Sequence, residues 1–200
     1  RTTYMGEREA YYGRRHLVLH EKWNYLSTIT DGMQQNRCML PWFGHNKTSP
    51  VHIKQHLQGV LMHGRQMRVY RSFSNVSVNG NFCIHTWLLS LEEQYKKGKL
   101  PSTIFHQIDG GSENANIMYL VICFLLVAKG LVTRVELTRL LPGHTHEDID
   151  ALFALIWNML KDEYCLSPEE FKKLIMKSFS SLPDVEVIDI FAVPAYDKWI

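Results

Sequence analysis

Several features that would narrow the class of this protein are missing from its 200 residues. No two of the four cysteines form a CxxC pair, which excludes a zinc ribbon and a compact disulfide framework and predicts reduced, buried thiols in an intracellular protein. The longest apolar run, Ile117–Ala128, is shorter than the roughly 20 residues of a membrane span and therefore predicts a buried core helix. The formal net charge is +2, so the chain lacks the strongly basic character of a dedicated nucleic-acid binder.

The length fits one domain, or one domain with a short appendage. Residues 1–22 are polar, aromatic and basic without a clear period, so we interpret them as a lead-in segment and residues 23–200 as the domain itself. Because the chain starts with Arg1 and stops soon after a strand-like run, we expect it to be a fragment of a longer protein.

Hydrophobic periodicity and turn residues predict three consecutive strands followed by alternating helices and strands. The first three strands are expected at residues 23–30, 52–63 and 66–73, and the later ones at 102–108, 131–141 and 185–191. Helices are expected at residues 82–97, 113–129, 146–160 and 167–179. This order describes a mixed sheet with helices on both faces, as in the RNase H-like α/β fold.

Acidic residues stand where two of these strands end. Asp31 follows the first strand, Asp109 follows the fourth, and the cluster Glu147–Asp150 opens the helix after the fifth. The first and fourth strands are neighbours in an RNase H-like sheet, so the carboxylates of Asp31 and Asp109 are expected within roughly 8 Å of each other. Two such carboxylates repel unless a cation lies between them, and oxygen ligands suit Mg²⁺ or Mn²⁺. The pattern predicts a two-metal site for phosphoryl transfer.

Simpler explanations exist for each acid taken alone. An Asp before a Gly at a strand end is a common turn residue, which suffices for Asp31 by itself. Acids in the first turn of a helix interact with its positive end, which suffices for Asp148. Asp148 and Asp150 flank the apolar stripe of their helix on opposite sides, so periodicity does not choose between them. We expect Asp150 to be the third ligand, with Asp148 as the alternative, because Asp150 lies one turn beyond His146.

Two motifs in the second half of the chain carry a family resemblance. Asp109–Asn116 (DGGSENAN) has an Asp followed by a Gly- and Asn-rich turn, and Gly143–Phe153 (GHTHEDIDALF) leads from a Gly-His-Thr segment into an acid-bearing helix. Both resemble a transposon-associated, integrase-like domain of eukaryotes that is catalogued as a domain of unknown function. The resemblance runs from about Trp23 to Phe191. Ala115 departs from the family pattern, which has Lys at that position.

The resemblance implies a transposase or integrase ancestry and a DDE-type acidic triad. It assigns Asp31, Asp109 and Asp150 as catalytic metal ligands for Mg²⁺ or Mn²⁺, and it places Asn114 and Asn116 in the Asn-rich turn. The implied activity is that of a polynucleotidyl transferase or nuclease acting on DNA phosphodiesters, in which His144 and His146 position the substrate. We expect the protein to be intracellular and nuclear, and to bind DNA through further domains of its parent protein. No membrane partner is expected, and a homo-oligomer is among the expected states.

Two other interpretations remain open. His144, His146 and Asp148 match half of the His-x-His-x-Asp-His pattern of zinc hydrolases, but Ile149 stands where that pattern needs His. A domesticated transposase kept only as a non-catalytic interaction module is the second, because a fold does not guarantee activity.

Overall fold

The computed structural model describes residues 2–44, 51–108, 117–139, 148–182 and 184–199 of the chain. Within these ranges the chain forms five α-helices, six β-strands and two short 3₁₀ helices. In chain order the helices and strands are α1 (Thr2–His20), β1 (Tyr25–Gly32), β2 (Gln55–Met62), β3 (Gln66–Phe73), α2 (Gly80–Lys96), β4 (Thr103–Ile108), α3 (Ile117–Ala128), β5 (Arg134–Arg139), α4 (Asp148–Leu160), α5 (Pro168–Ser178) and β6 (Val185–Ile190).

The six strands form one mixed sheet in the order β5-β4-β1-β2-β3-β6. The first three strands pair as an antiparallel meander, and β4 then joins the other side of β1 in a parallel pair. Strands β5 and β6 extend the two edges, each parallel to its neighbour. This order, with β1 between β2 and β4, is the arrangement predicted for an RNase H-like sheet, and the predicted fold class is confirmed.

Helices cover both faces of the sheet. On one face, α2 and α3 pack on the sheet through an apolar cluster that includes Trp87 and Tyr119. On the other face, α4 and α5 enclose a second cluster around Ile149, Phe153 and Phe171. The strands between two apolar layers are buried on both sides, and seven of the eight residues of β3 are buried, including the polar Gln66, Arg68, Arg71 and Ser72.

The lead-in segment has more structure than its sequence indicated. Residues 2–20 form α1, and two of its side chains, Tyr11 and Val18, are buried in the domain. The expectation that this segment stands apart from the core is therefore wrong for these two residues. The division of the chain at residue 23 stays a prediction.

The expected burial of the apolar helix is also wrong in part. Phe124, Leu125 and Val121 were expected in the core, but Phe124 is 70% exposed, Leu125 is exposed and Val121 is only partly buried. The buried side of α3 consists instead of Met118, Tyr119, Ile122, Cys123 and Leu126. The large loss of about 3–5 kcal/mol expected for a core Phe→Ala change therefore does not apply to Phe124.

Three local features concern the cysteines, the start of α5 and the helix lengths. All four cysteines are free and buried. The Ser167 side chain caps α5 by accepting a hydrogen bond from the Glu170 amide, with Pro168 in the first turn. Within the described residues, no helix is long and apolar enough to span a membrane.

Candidate functional site

Asp31 lies inside the central strand rather than after its end. It pairs with Gly59 of β2, so its side chain leaves the sheet on the face where a Gly59 side chain would. The next residue, Gly32, lies on the opposite face, close to His56, whose ring contacts Phe82 of α2. Since successive side chains alternate along a strand, the half-buried Asp31 carboxylate belongs to the face covered by α4.

Gly59 brings α4 close to the strand that carries Asp31. A methyl group on Gly59 would lie 3.0 Å from both Cδ1 of Ile149 and Cζ of Phe153, and 2.8 Å from Cε of Met67. Because Gly59 has no side chain, the apolar face of α4 approaches the sheet at the residue that pairs with Asp31. Ile149 is also the residue between the two acids of this helix, so the first turn of α4 and Asp31 share one region of the sheet face.

The two acids of α4 leave the helix on opposite sides. They are separated by two residues, or about 200° around the helix axis. Asp148 points to α1, where its Oδ2 lies 3.2 Å from Arg15 Nε. Asp150 is therefore directed away from α1. Its carboxylate is half-buried, with Oδ2 shielded from solvent.

Asp148 belongs to a network of hydrogen bonds and ion pairs. Besides Arg15, its Oδ2 lies 3.4 Å from His63 Nε2 and accepts a hydrogen bond of 3.4 Å from the Tyr11 hydroxyl. The Tyr11 hydroxyl lies 2.9 Å from His63 Nε2, and His63 Nδ1 lies 2.9 Å from Ser27 Oγ in β1. The network thus ties α4 to α1, β1 and the turn after β2.

The electrostatics of this network keep Asp148 ionised. The hydrogen bond from His63 holds the pKa of Asp148 below its ordinary value, and the charge of Arg15 adds to this effect against the opposing cost of burial. A carboxylate already bound by one cation and two hydrogen-bonding groups has little capacity left for a metal. Arg15, His63 and Tyr11 were not singled out by sequence reasoning, because they lie far from Asp148 in the chain and belong to no motif.

The other residues predicted for the site lie outside the described residues: Asp109, Asn114, Asn116, His144 and His146. The described part of β4 ends at Ile108, which pairs with Thr30, the residue before Asp31. Thus the strand that leads to Asp109 in sequence runs beside the one that carries Asp31. The predicted carboxylate separation between Asp31 and Asp109 stays a prediction.

Two acids of the predicted triad, Asp31 and Asp150, are among the described residues, and both are half-buried carboxylates. Oxygen donors of this kind fit Mg²⁺ or Mn²⁺. Within the described ranges, no three His, Cys, Asp or Glu side chains come together as a metal-binding group. Asp109, the remaining member of the predicted triad, lies outside those ranges.

A family match covers most of the chain. Residues 45–200 match the family described as Domain of unknown function (DUF7869). The chain belongs to this family. The match begins after β1, so Asp31 and its strand precede the region that defines the family, while α4 and both motifs lie within it.

Comparisons beyond the family are sparse. No curated protein sequence matches the chain. One similar solved structure is the crystal structure of the Mos1 strand transfer complex, with 12% sequence identity and a TM-score of 0.43. The similarity covers 84% of this chain and 52% of the solved chain, so this chain spans about half of its length.

Proposed function

We propose that this domain is a metal-dependent polynucleotidyl transferase or nuclease of the transposase and integrase type, acting on DNA phosphodiesters. The observation that supports the proposal most directly is the packing of Ile149 against Gly59, the pairing partner of Asp31. It brings an acid-bearing helix onto β2 at the residue that pairs with Asp31, a placement compatible with a metal site shared by the helix and β1.

In this proposal Asp31, Asp109 and Asp150 hold Mg²⁺ or Mn²⁺. When bound, a pair of such ions activates a hydroxyl nucleophile and stabilises the leaving oxygen of a phosphodiester. Asp31 is positioned by β1, a strand with a hydrogen-bonded neighbour on each side. Asn114, Asn116, His144 and His146 orient the scissile phosphate, and the parent protein's other domains supply most of the DNA affinity. The site of action is the nucleus.

The choice of Asp150 over Asp148 rests on the network around Asp148. Arg15, His63 and Tyr11 already occupy the Asp148 carboxylate, so its role is to orient the first turn of α4. The same contacts weaken the zinc hydrolase alternative, because Asp148 is the carboxylate which that alternative needs.

The test is cleavage of DNA by the full-length protein in Mg²⁺ or Mn²⁺. Asp31→Asn and Asp150→Asn each preserve side-chain volume and remove one charge, and we expect each to lower the cleavage rate at least ~100-fold while the protein stays folded. Asp148→Asn is the matched control and should keep substantial activity. Thermal unfolding with added Mn²⁺ is a second measurement: the ion should raise the unfolding temperature of the wild type and of Asp148→Asn, but not of Asp150→Asn.

The outcomes separate the candidate functions. Loss of activity in Asp148→Asn with an active Asp150→Asn would move the third ligand to Asp148. A wild type that neither cleaves DNA nor responds to Mn²⁺ would overturn the proposal and favour a non-catalytic interaction module.

A further inference from the structure

Two histidines lie together on the exposed side of α1. His16 and His20 are four residues apart, which places their side chains one above the other on the same face of the helix. Their Nε2 atoms are 3.0 Å apart, and their rings, both exposed to solvent, have centroids 4.2 Å apart. We call these two residues the histidine pair. Neither of them belongs to the metal site proposed above, so that function leaves the pair without a role.

The backbone that carries the histidine pair is held firmly on the domain. Tyr11 and Val18 anchor α1, since the side chains of both are buried. Helical hydrogen bonding continues past His20, because the Glu21 amide donates to the Leu17 carbonyl at 2.8 Å. The two imidazoles are therefore presented by a fixed turn of helix rather than by a fraying end. Such preorganisation lowers the entropic cost of binding one ligand through both rings.

The geometry of the histidine pair suits a transition-metal ion. Bonds between a metal and imidazole nitrogen are about 2.0–2.1 Å long, so an ion bound equally to two nitrogens 3.0 Å apart has a nitrogen–metal–nitrogen angle of about 95°. This angle is close to the ~90° of square-planar coordination and smaller than the ~109° of a tetrahedral zinc site. Square-planar and tetragonal sites with nitrogen ligands are typical of Cu²⁺ and Ni²⁺, whereas Mg²⁺ and Mn²⁺ prefer oxygen.

The surroundings of the histidine pair also favour a cation. The pair lies at the carboxyl end of α1, where the helix dipole has its negative end. A hydrogen bond between two neutral rings would also bring the nitrogens close, but on an exposed surface it competes with water and contributes little. Among the described residues, no third His, Cys, Asp or Glu side chain joins the two imidazoles. Because both rings are exposed, water can fill the remaining coordination positions.

We propose that the histidine pair is a binding site for one Cu²⁺ or Ni²⁺ ion, held through Nε2 of both residues. The ion links two successive turns of α1. The four native cysteines are buried, so these soft ligands do not compete for copper in the folded chain. The site differs chemically from the proposed carboxylate site for Mg²⁺ or Mn²⁺, and the two can be tested separately in the same protein.

The test is isothermal titration of the full chain with NiCl₂ in a buffer that does not bind metals. His16→Asn and His20→Asn each leave a single imidazole, and we expect each to weaken the binding of one equivalent of Ni²⁺ at least ~10-fold, because the second ligand no longer binds intramolecularly. His85→Asn is the control, since His85 Nδ1 lies 2.9 Å from the Tyr196 hydroxyl rather than from a second imidazole. The control should bind Ni²⁺ as the wild type does. Equal affinity in the wild type and both pair variants would overturn the proposal.

Electron paramagnetic resonance of the chain with one equivalent of Cu²⁺ gives a second measurement, which reports the ligands directly. The wild type and His85→Asn should show nitrogen hyperfine splitting from two imidazoles, and His16→Asn and His20→Asn from one. Circular dichroism checks that all variants are folded, and excess Mg²⁺ should leave the copper spectrum unchanged. A spectrum that is identical in the wild type and both pair variants would overturn the proposal, because the copper would then bind elsewhere.

Discussion

At the scale of single residues, the most informative contrast is between two neighbouring acids. Asp148 and Asp150 have the same chemistry and differ by two positions, but α4 turns one to a cationic network and the other away from it. The difference between the two acids arises because the fold places Arg15, His63 and Tyr11 around Asp148. The Asp148 carboxylate stabilises the folded chain through Arg15, His63 and Tyr11, and its contribution should depend on pH.

The lowered pKa of Asp148 predicts the sign of that dependence. Above the ordinary carboxyl pKa of 3.8 the group is ionised in both the folded and the unfolded chain, so its full stabilisation is present there. The stabilisation is lost as the pH falls below 3.8 and through the lower pKa of the folded state. We expect Asp148→Asn to reduce the free energy of unfolding by about 1 kcal/mol at pH 7, since the pair is partly exposed to solvent.

Urea denaturation of the wild type and Asp148→Asn across pH 2–7 measures this difference. The two curves should converge on the acid side and stay parallel at higher pH. Arg15→Gln should show a smaller loss, because His63 and Tyr11 remain in place. A gap of constant size down to the lowest pH would mean that Asp148 makes no ionic contribution.

At the scale of helices and strands, two glycines should respond to alanine in opposite directions. Gly13 lies in α1, and a methyl group there would have no atom within 4 Å, so Gly13→Ala should stabilise the chain by about 0.5–1 kcal/mol through helix propensity. Gly59 lies in β2 against Met67, Ile149 and Phe153, and Gly59→Ala should destabilise by about 1–3 kcal/mol through overpacking.

The measurement is equilibrium unfolding of both variants beside the wild type. If Gly59→Ala displaces α4 from the sheet, it should also lower any metal-dependent activity, whereas Gly13→Ala should not. Equal stability changes at the two positions would show that the close approach of α4 to the sheet is not maintained in solution.

Sequence patterns predicted the strands well because a strand appears in the sequence as an apolar run between turn residues. Apolar runs bounded by Gly, Pro and Asn gave the approximate positions of the six strands, and their order pointed to the correct sheet. The helix α1 was missed because its polar residues show no clear period; Tyr11 and Val18 are its core residues among those whose side chains are described. The exposure of Phe124 was missed because an all-apolar helix has no polar face to indicate which side meets solvent. The partners of Asp148 come from distant segments, which periodicity does not bring together.

At the scale of the whole molecule, stability in mild acid should depend on a buried histidine. His106 in β4 is fully buried, stacks on Trp87 at a centroid distance of 4.0 Å, and lies 2.8 Å from the Thr28 hydroxyl through Nδ1. Burial lowers the pKa of His106 to about 3, from an ordinary 6.5. Below pH 6.5 His106 therefore becomes protonated in the unfolded chain while it stays neutral in the folded chain.

The free energy of unfolding should consequently fall as the pH decreases from 6.5 toward 3, with up to ~1.4 kcal/mol per pH unit due to this group. His106→Gln removes the titrating ring. We expect the variant to be less stable at pH 7 and to decline less steeply between pH 6.5 and 4. Denaturant titrations at fixed pH values measure both slopes, and identical slopes would rule out His106 as the source of acid sensitivity.

The region that matches the family does not include β1, although β1 lies in the middle of the sheet. The matched region is therefore smaller than the unit that folds. The family region begins at residue 45, but β2 and β4 are each hydrogen-bonded on one side to β1, which lies before it. A polypeptide cut at the family boundary would expose two unpaired strand edges in the middle of the sheet, a well-known template for aggregation. It would also lack Asp31. The smallest autonomous unit of this protein therefore includes β1, and boundaries drawn for expression, or for comparing relatives, belong upstream of that strand.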